Sequence, residues 1–207
     1  MEFKTEILPQ DFNESIKSME KRVNHIIGHS QGEMAWILDY PAIYTCGASE
    51  NNNDLLDSSK FPVFKTNRGG KYTYHGPGQR VIYLMIDLNQ RNKDIRKFLR
   101  SIENIILRIL ARFETKGILD DRHHGVFVKK DDGNLYKIAS IGMKFKKWVS
   151  YHGFSFNINP NLEHYSGIKP CGLNKGNMTS LSDIGIKIGN DEFDEIVIEE
   201  INNIFGI

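Results

Sequence analysis

Two side chains of this sequence could together carry out nucleophilic chemistry: the thiol of Cys171 and the amine of Lys137. Cys171 stands between Pro170 and Gly172, an arrangement that is typical of a fixed, approachable loop rather than of a packed strand. A cysteine thiolate is a nucleophile, and a nearby lysine ammonium stabilises the thiolate and lowers the pKa of the thiol. A single cysteine or lysine is more often a packing or surface residue, so the pair needs support from the rest of the chain.

A glycine-rich segment from Arg68 to Gln79, RGGKYTYHGPGQ, is the most unusual stretch of the chain. Its four glycines surround a short piece with strand propensity, and glycine lets a backbone approach a ligand closely or adopt positive φ. The Gly-Pro-Gly near its end predicts a tight hairpin turn over His75–Gln79. Such a turn leaves Gly69 and Gly70 unexplained. We therefore expect the two glycine clusters to line a slot for a ligand, with Arg68 and His75 as its polar ends.

Hydrophobic periodicity predicts three helices and a series of short strands. The helices are expected over Asp11–His29, from Asp94 to near Gly117, and over Glu192–Phe205. Asp11 and Glu14 have the spacing of a capping box. The strands are expected at Met34–Leu38, Ile43–Cys46, Pro62–Thr66, Val81–Leu88, Gly125–Lys129, Leu135–Ser140, Lys144–Val149 and Phe154–Ile158. This mixture predicts an α+β fold, a mixed and largely antiparallel sheet flanked by helices, in one domain over residues 1–207.

Composition narrows the function classes. Lysine plus arginine (27) nearly balance aspartate plus glutamate (26), so no overall basic field favours nucleic acid or an anionic membrane as a partner. No stretch approaches the roughly 20 apolar residues of a membrane span, and a cytoplasmic protein is expected. Cys46 and Cys171 form no C-x-x-C pair, which argues against a disulfide framework or a cysteine zinc site. No phosphate-binding G-x-x-x-x-G-K-[ST] loop occurs, and no metal or other cofactor is expected.

Five segments, taken in order, resemble the octanoyltransferase (lipoyl/octanoyl transferase) family. The family pattern P-x-x-Y-T-x-G matches Pro41–Gly47, and R-G-G-x-x-T-Y-H-G-P-G-Q matches Arg68–Gln79. The pattern K-I-A-x-x-G matches Lys137–Gly142, and P-C-G matches Pro170–Gly172. Between these two, H-G-[FL] with a following N-x-N matches His152–Phe154 with Asn157–Asn159. The resemblance spans roughly residues 40 to 183. An ordered set of this length is far more specific than a single glycine motif.

The resemblance implies a fold similar to the catalytic domains of biotin and lipoate protein ligases. It also implies transfer of an octanoyl group from acyl carrier protein to a lysine of a lipoyl domain, in 2-oxoacid dehydrogenase complexes or in the H protein of glycine cleavage. Cys171 would be the acyl-accepting nucleophile and Lys137 the group that lowers its pKa. The implied substrate-binding residues are Arg68, Gly69, Gly70, Lys71, Tyr72, Thr73, Tyr74, His75, Ser140, Ile141, Gly142, Gly153, Phe154 and Ser155.

This chemistry needs no ATP, because a thiolate exchanges with a thioester donor and stores the acyl group as an acyl-enzyme. In the second half-reaction the acceptor lysine must lose a proton before or during its attack. Lys137 is the candidate base for that proton.

Three other functions remain open. An ATP-dependent lipoate or biotin ligase would share the fold, but such ligases usually show R-R-x-[ST]-G-G-G where this chain has Asn67-Arg68-Gly69-Gly70. A thioesterase would use Cys171 with a histidine such as His75, His123, His124 or His152 and would release free fatty acid. A carrier-protein binding module without catalysis would not need both Cys171 and Lys137.

A cluster of lysines at positions 129, 130, 144, 146 and 147 is either a surface for acidic carrier proteins or a solvated basic face.

Overall fold

The computed structural model describes residues 1–120, 123–170 and 177–206. Within these ranges, seven strands form a large sheet and three form a small one. Across the large sheet, numbered in chain order, lie β1 (Glu2–Thr5), β2 (Met34–Leu38), β6 (Gln79–Met85), β10 (Val149–Asn157), β9 (Leu135–Lys146), β8 (His123–Lys129) and β7 (Gly117–Asp120). Across the small sheet lie β4 (Val63–Lys65), β3 (Ile43–Cys46) and β5 (Tyr72–His75).

The large sheet is mixed, because β1 pairs parallel with β2 while its other neighbouring strands pair antiparallel. Helix α1 (Phe12–Ile27) covers one face, and α2 (Ile95–Ala111) with α3 (Asn190–Phe205) covers the other. In the described residues, no helix combines the length and the apolar character needed to cross a membrane. The predicted α+β fold, a largely antiparallel sheet flanked by helices, is therefore confirmed.

Strand β6 shows why its sequence is almost continuously apolar. Val81 and Tyr83 pack toward α1, whereas Ile82 and Leu84 pack toward α2 and α3. Successive side chains of a strand point to opposite faces, so a strand covered on both sides has no polar alternation. Burial on both faces makes β6 the centre around which the helices and the neighbouring strands are placed.

Helix α1 begins where Asp11 caps it. The Asp11 carboxylate accepts a hydrogen bond from the Glu14 amide at 2.9 Å, which satisfies one of the free N–H groups of the first turn. The Glu14 side chain pairs with Lys17 instead of reaching back, so only half of the predicted capping box forms. The cap fixes Phe12 as the first residue of the helix, with its ring buried against the sheet.

Several predicted strand boundaries change in the structure. β6 begins at Gln79, two residues earlier than expected, and Leu88 belongs to a short 3-10 turn. The strand predicted at Lys144–Val149 is wrong, because the chain reverses there: Lys147 and Trp148 have φ values of 48° and 68°. A two-residue hairpin of type I′ requires positive φ at both positions, and neither residue signals it in the sequence.

The turn predicted over His75–Gln79 exists but does not form a hairpin. The Gln79 amide donates to the Gly76 carbonyl at 3.1 Å, yet β5 belongs to the small sheet and β6 to the large sheet. Gly78 has a φ of 84°, and a Cβ there would lie 2.6 Å from the Asn159 backbone. The glycines of this turn therefore serve the passage of the chain from one sheet to the other.

A buried ion pair fixes α3 to the centre of the large sheet. Arg80 of β6 is 2% exposed, and its Nε donates to Asp194 Oδ1 of α3 at 2.9 Å. Its Nη2 donates to the second carboxylate oxygen at 2.5 Å, and Asp39 lies 3.4 Å from Nη1. Burial raises the pKa of Asp194, opposed by the hydrogen bonds and charge of Arg80. The pair is bidentate, and each partner compensates a charge that would otherwise be isolated in the interior.

Replacing Asp194 with alanine is expected to lower the free energy of unfolding by about 3–5 kcal/mol, because the Arg80 charge loses its main partner in the interior. Urea denaturation at neutral pH measures the loss. Glu195→Ala, an exposed position on the same helix, is the matched control and should change stability by less than about 0.5 kcal/mol. Equal stability of the two variants would show that the pair does not hold α3 in place.

Candidate active site

A cleft of about 530 Å³, including its open mouth, lies between the large and the small sheet. Its floor is made by two rows of paired residues that cross three strands, Gly142–Gly153–Tyr83 and Ser140–Ser155–Val81. Glycine and serine on β9 and β10 leave room above the sheet, whereas Val81 and Tyr83 on β6 fill it. The floor therefore leaves open space above β9, where the side chains are small, and is filled by larger side chains above β6.

The segment that follows β4 forms the roof and meets the floor by main-chain contact. The Gly69 amide donates to the Met143 carbonyl at 3.0 Å, and a Cβ on Gly142 would lie 3.0 Å from the Gly69 carbonyl oxygen. On the small-sheet side, a Cβ on Gly47 would lie 2.3 Å from the carbonyl oxygen of Gly70, whose φ is 94°. Larger residues would push the two layers apart, so glycine is required for this approach.

Arg68 holds the roof segment in its curved shape. Its guanidinium donates to the Thr45 carbonyl at 3.0 Å, to the Thr45 hydroxyl at 2.9 Å and to the Lys71 carbonyl at 3.0 Å. A further bond of 3.0 Å reaches the carbonyl of Gly69. The five-donor fork of arginine suits such a set of diverging acceptors. The arrangement places a permanent positive charge at the cleft.

His75 is held in one tautomer by a chain of amides. Gln79 Nε2 donates to Asn157 Oδ1 at 2.9 Å, so Gln79 Oε1 faces His75 and accepts from its Nδ1–H at 2.7 Å. Asn157 is itself oriented, because its Nδ2 donates to the Thr179 carbonyl. Burial, followed by the charge of Arg68, lowers the pKa of His75 to about 4. The imidazole is therefore neutral at pH 7, with its hydrogen-bond acceptor at Nε2.

His152 lies beside the floor in a backbone conformation that is uncommon outside glycine, with a φ of 61°. Its Nε2 is 3.0 Å from Asn67 Oδ1, and its ring stacks on Tyr151. Burial, then the charges of Arg68 and Lys144, lowers the pKa of His152 to about 3. Both histidines of the cleft are therefore uncharged at neutral pH, and Arg68 is the positive charge that acts on both.

Thr73 offers an unused hydrogen-bonding group to the cleft. Its side chain is 6% exposed, and within the described residues its hydroxyl has no hydrogen-bond partner. Thr45, its neighbour across the β3–β5 pair, bonds Arg68 instead. A buried polar group without a partner is unfavourable by about 1–3 kcal/mol, and a polar ligand group would remove that penalty.

Lys137 is completely buried on β9, three residues before Ser140 and so about 10 Å from it along the strand. Its Nζ donates to the His124 carbonyl at 2.9 Å and lies 5.2 Å from the centre of the Phe127 ring. Gly125 opposite has a φ of 133°, and a Cβ there would approach Lys137 Cε to 3.2 Å. The glycine thus makes room for the lysine side chain.

The backbone of Lys137 anchors the chain that returns after residue 176. The Lys137 amide donates to the Asn177 carbonyl at 2.8 Å, and the Thr179 amide donates to the Lys137 carbonyl at 2.9 Å. Cys171, the predicted nucleophile, lies outside the described residues.

Cys46, the other cysteine, is an interior residue of the small sheet. It is 1% exposed, and its Sγ lies 3.7 Å from the Phe64 carbonyl oxygen. Burial, followed by the neighbouring Glu50, raises the pKa of this thiol, which favours the unreactive protonated form.

Most of the predicted substrate-binding residues line the cleft, namely Arg68, Gly70, Tyr72, Thr73, His75, Ser140, Ile141, Gly142, Gly153, Phe154 and Ser155. Gly69 and Lys71 line a neighbouring groove instead, and Tyr74 points into an aromatic cluster where its hydroxyl lies 2.8 Å from His164 Nδ1. The second glycine cluster, Gly76 and Gly78, is not part of the cleft wall. Of the four glycines of this segment only Gly70 lines the cleft, so the expectation that the two clusters together line a slot is wrong.

Residues from five regions of the chain complete the wall and were not predicted from the sequence: Phe12, Thr45, Thr66, Val81, Tyr83 and His152. Phe12 and Val81 read as ordinary core residues in their own elements. His152 lies directly before a predicted position, Gly153, and in the sequence only the thioesterase alternative gives it a role, as a partner of the thiol. These residues meet because of tertiary packing, which local sequence patterns do not predict.

A wider groove of about 1,120 Å³ adjoins the cleft on the side of α2. Gly70, Ile141 and Gly142 line both spaces. The groove also reaches His124, whose carbonyl accepts from Lys137 Nζ. The groove therefore connects solvent with the cleft and with the surroundings of the buried lysine.

The fold is that of the catalytic domains of lipoate and biotin protein ligases. The structure resembles a bipartite lipoate protein ligase from Thermoplasma acidophilum with a TM-score of 0.73, over 99% of this chain and 84% of that one, at 13% identity. It resembles a biotin protein ligase from Aquifex aeolicus with a TM-score of 0.54, over 98% of this chain and 68% of that one, at 10% identity.

Sequence similarity identifies the family more closely. An octanoyltransferase from Ehrlichia chaffeensis is 45% identical, over 100% of this chain and 96% of its own length. One from Parvibaculum lavamentivorans is 41% identical, over 99% and 92%. The model of the lipoyl protein ligase A/B catalytic domain matches residues 11–202. The chain belongs to the lipoyl protein ligase A/B catalytic domain family and, within it, to the octanoyltransferases.

The lowered pKa values of the two cleft histidines predict acid sensitivity. In the unfolded chain these histidines become protonated below about pH 6.5. In the folded protein they stay neutral down to about pH 4 for His75 and about pH 3 for His152. The unfolded state therefore binds more protons in this range, and the free energy of unfolding falls as the pH falls. Each histidine is expected to contribute a loss of about 2 kcal/mol between pH 7 and pH 5.

Replacing His152 with asparagine, which tolerates positive φ, should remove its share and flatten the pH dependence of urea denaturation. His29→Asn, at an exposed histidine that also has a positive φ of 54°, is the matched control for replacing a histidine by asparagine. An unchanged slope in His152→Asn would show that this imidazole is not kept neutral by its surroundings.

Proposed function

We propose that this protein transfers an octanoyl group from an acyl carrier protein thioester to a specific lysine of a lipoyl domain, with Cys171 as nucleophile and Lys137 as the proton-handling group. The observation that carries the proposal is the burial of Lys137 on the strand that also forms the floor of the cleft. A fully buried lysine is rare among lysines and is characteristic of sites where the amine handles protons.

The cleft suits a thin acyl chain. Its floor has glycine and serine on two strands, and its inner wall is formed by Phe12, Val81 and Tyr83. A chain without polar groups buries its surface there, which is favourable by about 25 cal/mol per Å² of apolar surface removed from water. Ser140 on β9 and Arg68 above Gly142 are polar groups on the side of Lys137, and they remain for the carbonyl end of the substrate.

In the first half-reaction the Cys171 thiolate attacks the thioester carbonyl, a new carbon–sulfur bond forms, and the bond to the carrier sulfur breaks. Lys137 as an ammonium stabilises the attacking thiolate and gives its proton to the departing carrier thiolate. The products are the acyl-enzyme, a neutral Lys137 amine and the free carrier thiol. Energy comes from the thioester itself, so ATP is not consumed.

In the second half-reaction the acceptor lysine amine attacks the acyl-enzyme carbonyl and displaces the Cys171 thiolate. The neutral Lys137 amine takes the proton that the nitrogen loses as the amide forms. Lys137 is then an ammonium beside a thiolate, as it was before the cycle. One residue thus serves both half-reactions because the proton it gives in the first returns in the second.

The acceptors proposed for this chain are the lipoyl domains of 2-oxoacid dehydrogenase complexes and the H protein of glycine cleavage, and the donor is octanoyl-acyl carrier protein. The groove beside α2 is the route through which both reach the cleft, since it adjoins the surroundings of Lys137. We propose no nucleic acid and no membrane as a partner. A cytoplasmic location and a single catalytic domain over residues 1–207 stay predictions.

Mixing the protein with octanoyl-acyl carrier protein should produce a covalent octanoyl adduct on Cys171, seen by intact-mass analysis and peptide mapping. Cys171→Ser should show no thioester adduct and no transfer to an apo lipoyl domain, because its hydroxyl is a much weaker nucleophile than a thiolate. Cys46→Ser is the matched control and should keep both, since Cys46 is buried in the small sheet. A thioester adduct that survives in Cys171→Ser would refute the assignment. A requirement for ATP would identify a ligase, and release of free octanoate instead of acylated domain would identify a thioesterase.

Replacing Lys137 with methionine, which keeps the length of the side chain without the amine, should reduce kcat by about 10²–10⁴-fold. Activity of the variant should recover in part as pH rises, because hydroxide then supplies the thiolate. Lys187→Met, at an exposed lysine outside the cleft and outside the lysine cluster, is the control and should stay close to wild type. A Lys137→Met enzyme with the wild-type rate and pH profile would exclude this lysine from the chemistry.

A further inference from the structure

The cleft has an open side and a closed side. Its β9 side is formed by Ser140–Gly142 and its roof by Arg68 and Gly70, all of which are partly exposed. Its β6 side is formed by residues that are almost completely buried, Val81 at 3%, Tyr83 at 5% and Phe12 at 6% exposure. Any long ligand must therefore enter from the β9 side and end at the β6 side.

Lys137 fixes the direction in which an acyl chain would lie. It stands on β9, so the reacting carbonyl belongs on the open side of the cleft. The hydrocarbon tail then runs across the floor from Gly142 over Gly153 toward Tyr83, at right angles to the strands. Two strand spacings amount to roughly 10 Å, a distance comparable to the length of an extended eight-carbon chain.

Phe12 stands where that distance ends. Its ring belongs to the same packed cluster as Val81 and Tyr83, and it lines the cleft from above β6. Its position is set by the Asp11 cap, which makes Phe12 the first residue of α1. Behind it, the ring centres of Tyr40 and Phe64 lie 5.2 Å and 4.9 Å away. Tyr40 also contacts the cleft residues Tyr83 and His75, so Phe12 closes this end of the cleft together with them.

We propose that Phe12 is the specificity-determining residue for acyl chain length: its ring closes the β6 end of the cleft and limits the chain to about eight carbons. The inference rests on the proposed function, because it takes the octanoyl group as the ligand of this cleft. A smaller side chain at position 12 opens space toward Tyr40 and Phe64 and admits further methylene groups. A larger one shortens the space available and favours shorter chains.

The test measures kcat/KM for transfer of hexanoyl, octanoyl, decanoyl and dodecanoyl groups from acyl carrier protein to an apo lipoyl domain. Phe12→Leu and Phe12→Ala should raise the dodecanoyl-to-octanoyl ratio by at least about tenfold, since a few methylene groups in an apolar pocket discriminate by 10-fold or more. Phe12→Trp should move the preference the other way, toward hexanoyl. Opposite shifts from smaller and larger residues cannot arise from a general loss of stability.

Phe64→Leu is the matched control. Phe64 packs against Phe12 in the same cluster but does not line the cleft, so the variant loosens the packing and should keep the octanoyl preference. An octanoyl preference that persists in both Phe12→Leu and Phe12→Trp would overturn the inference. A wild-type protein that transfers none of the four acyl groups would overturn the proposed function instead, and the two failures are thereby distinguished.

Discussion

The main-chain contact between the roof segment and β9 is the constraint on which the site depends. The Gly69 amide bonds the Met143 carbonyl, and the contact exists because Gly142 and Gly47 have no side chains at the points where the layers meet. Without this contact the distance between the small and the large sheet would not be fixed, and neither would the width of the cleft. Arg68 also stabilises the roof segment, because its guanidinium donates to carbonyls of that segment and to the Thr45 carbonyl of β3.

A second set of contacts fixes the polar end of the site. Gln79, Asn157 and Thr179 form a chain of hydrogen bonds that starts at His75 and ends next to the backbone of Lys137. Each amide in this chain has one orientation, because reversing it would oppose two donors or two acceptors. The strand that carries the cleft histidine and the strand that carries the buried lysine are thus held in one fixed relation by side chains that take no part in the proposed chemistry.

The sequence predicts the local structure well and the site in part. Periodicity locates the three helices and most strands, and the matched motifs contain most of the residues that line the cleft, because those motifs are continuous in the chain. The hairpin at Lys147 and Trp148 escapes prediction because positive φ is not apparent from those residue types. Phe12 and His152 escape because their place in the wall is decided by how α1 and β10 pack. Tyr74 lies within a matched motif yet faces away, since neighbouring residues of a strand point to opposite sides.

The two histidines that stay uncharged have a consequence for what the cleft admits. Burial and the charge of Arg68, which together keep the two imidazoles neutral, make a further cation in the cavity less favourable than a neutral molecule. An amine approaching it therefore enters at least cost in its free-base form, in which its lone pair is available. The same electrostatics that suppress protonation of the imidazoles act as a filter for the reactive state of an incoming nucleophile.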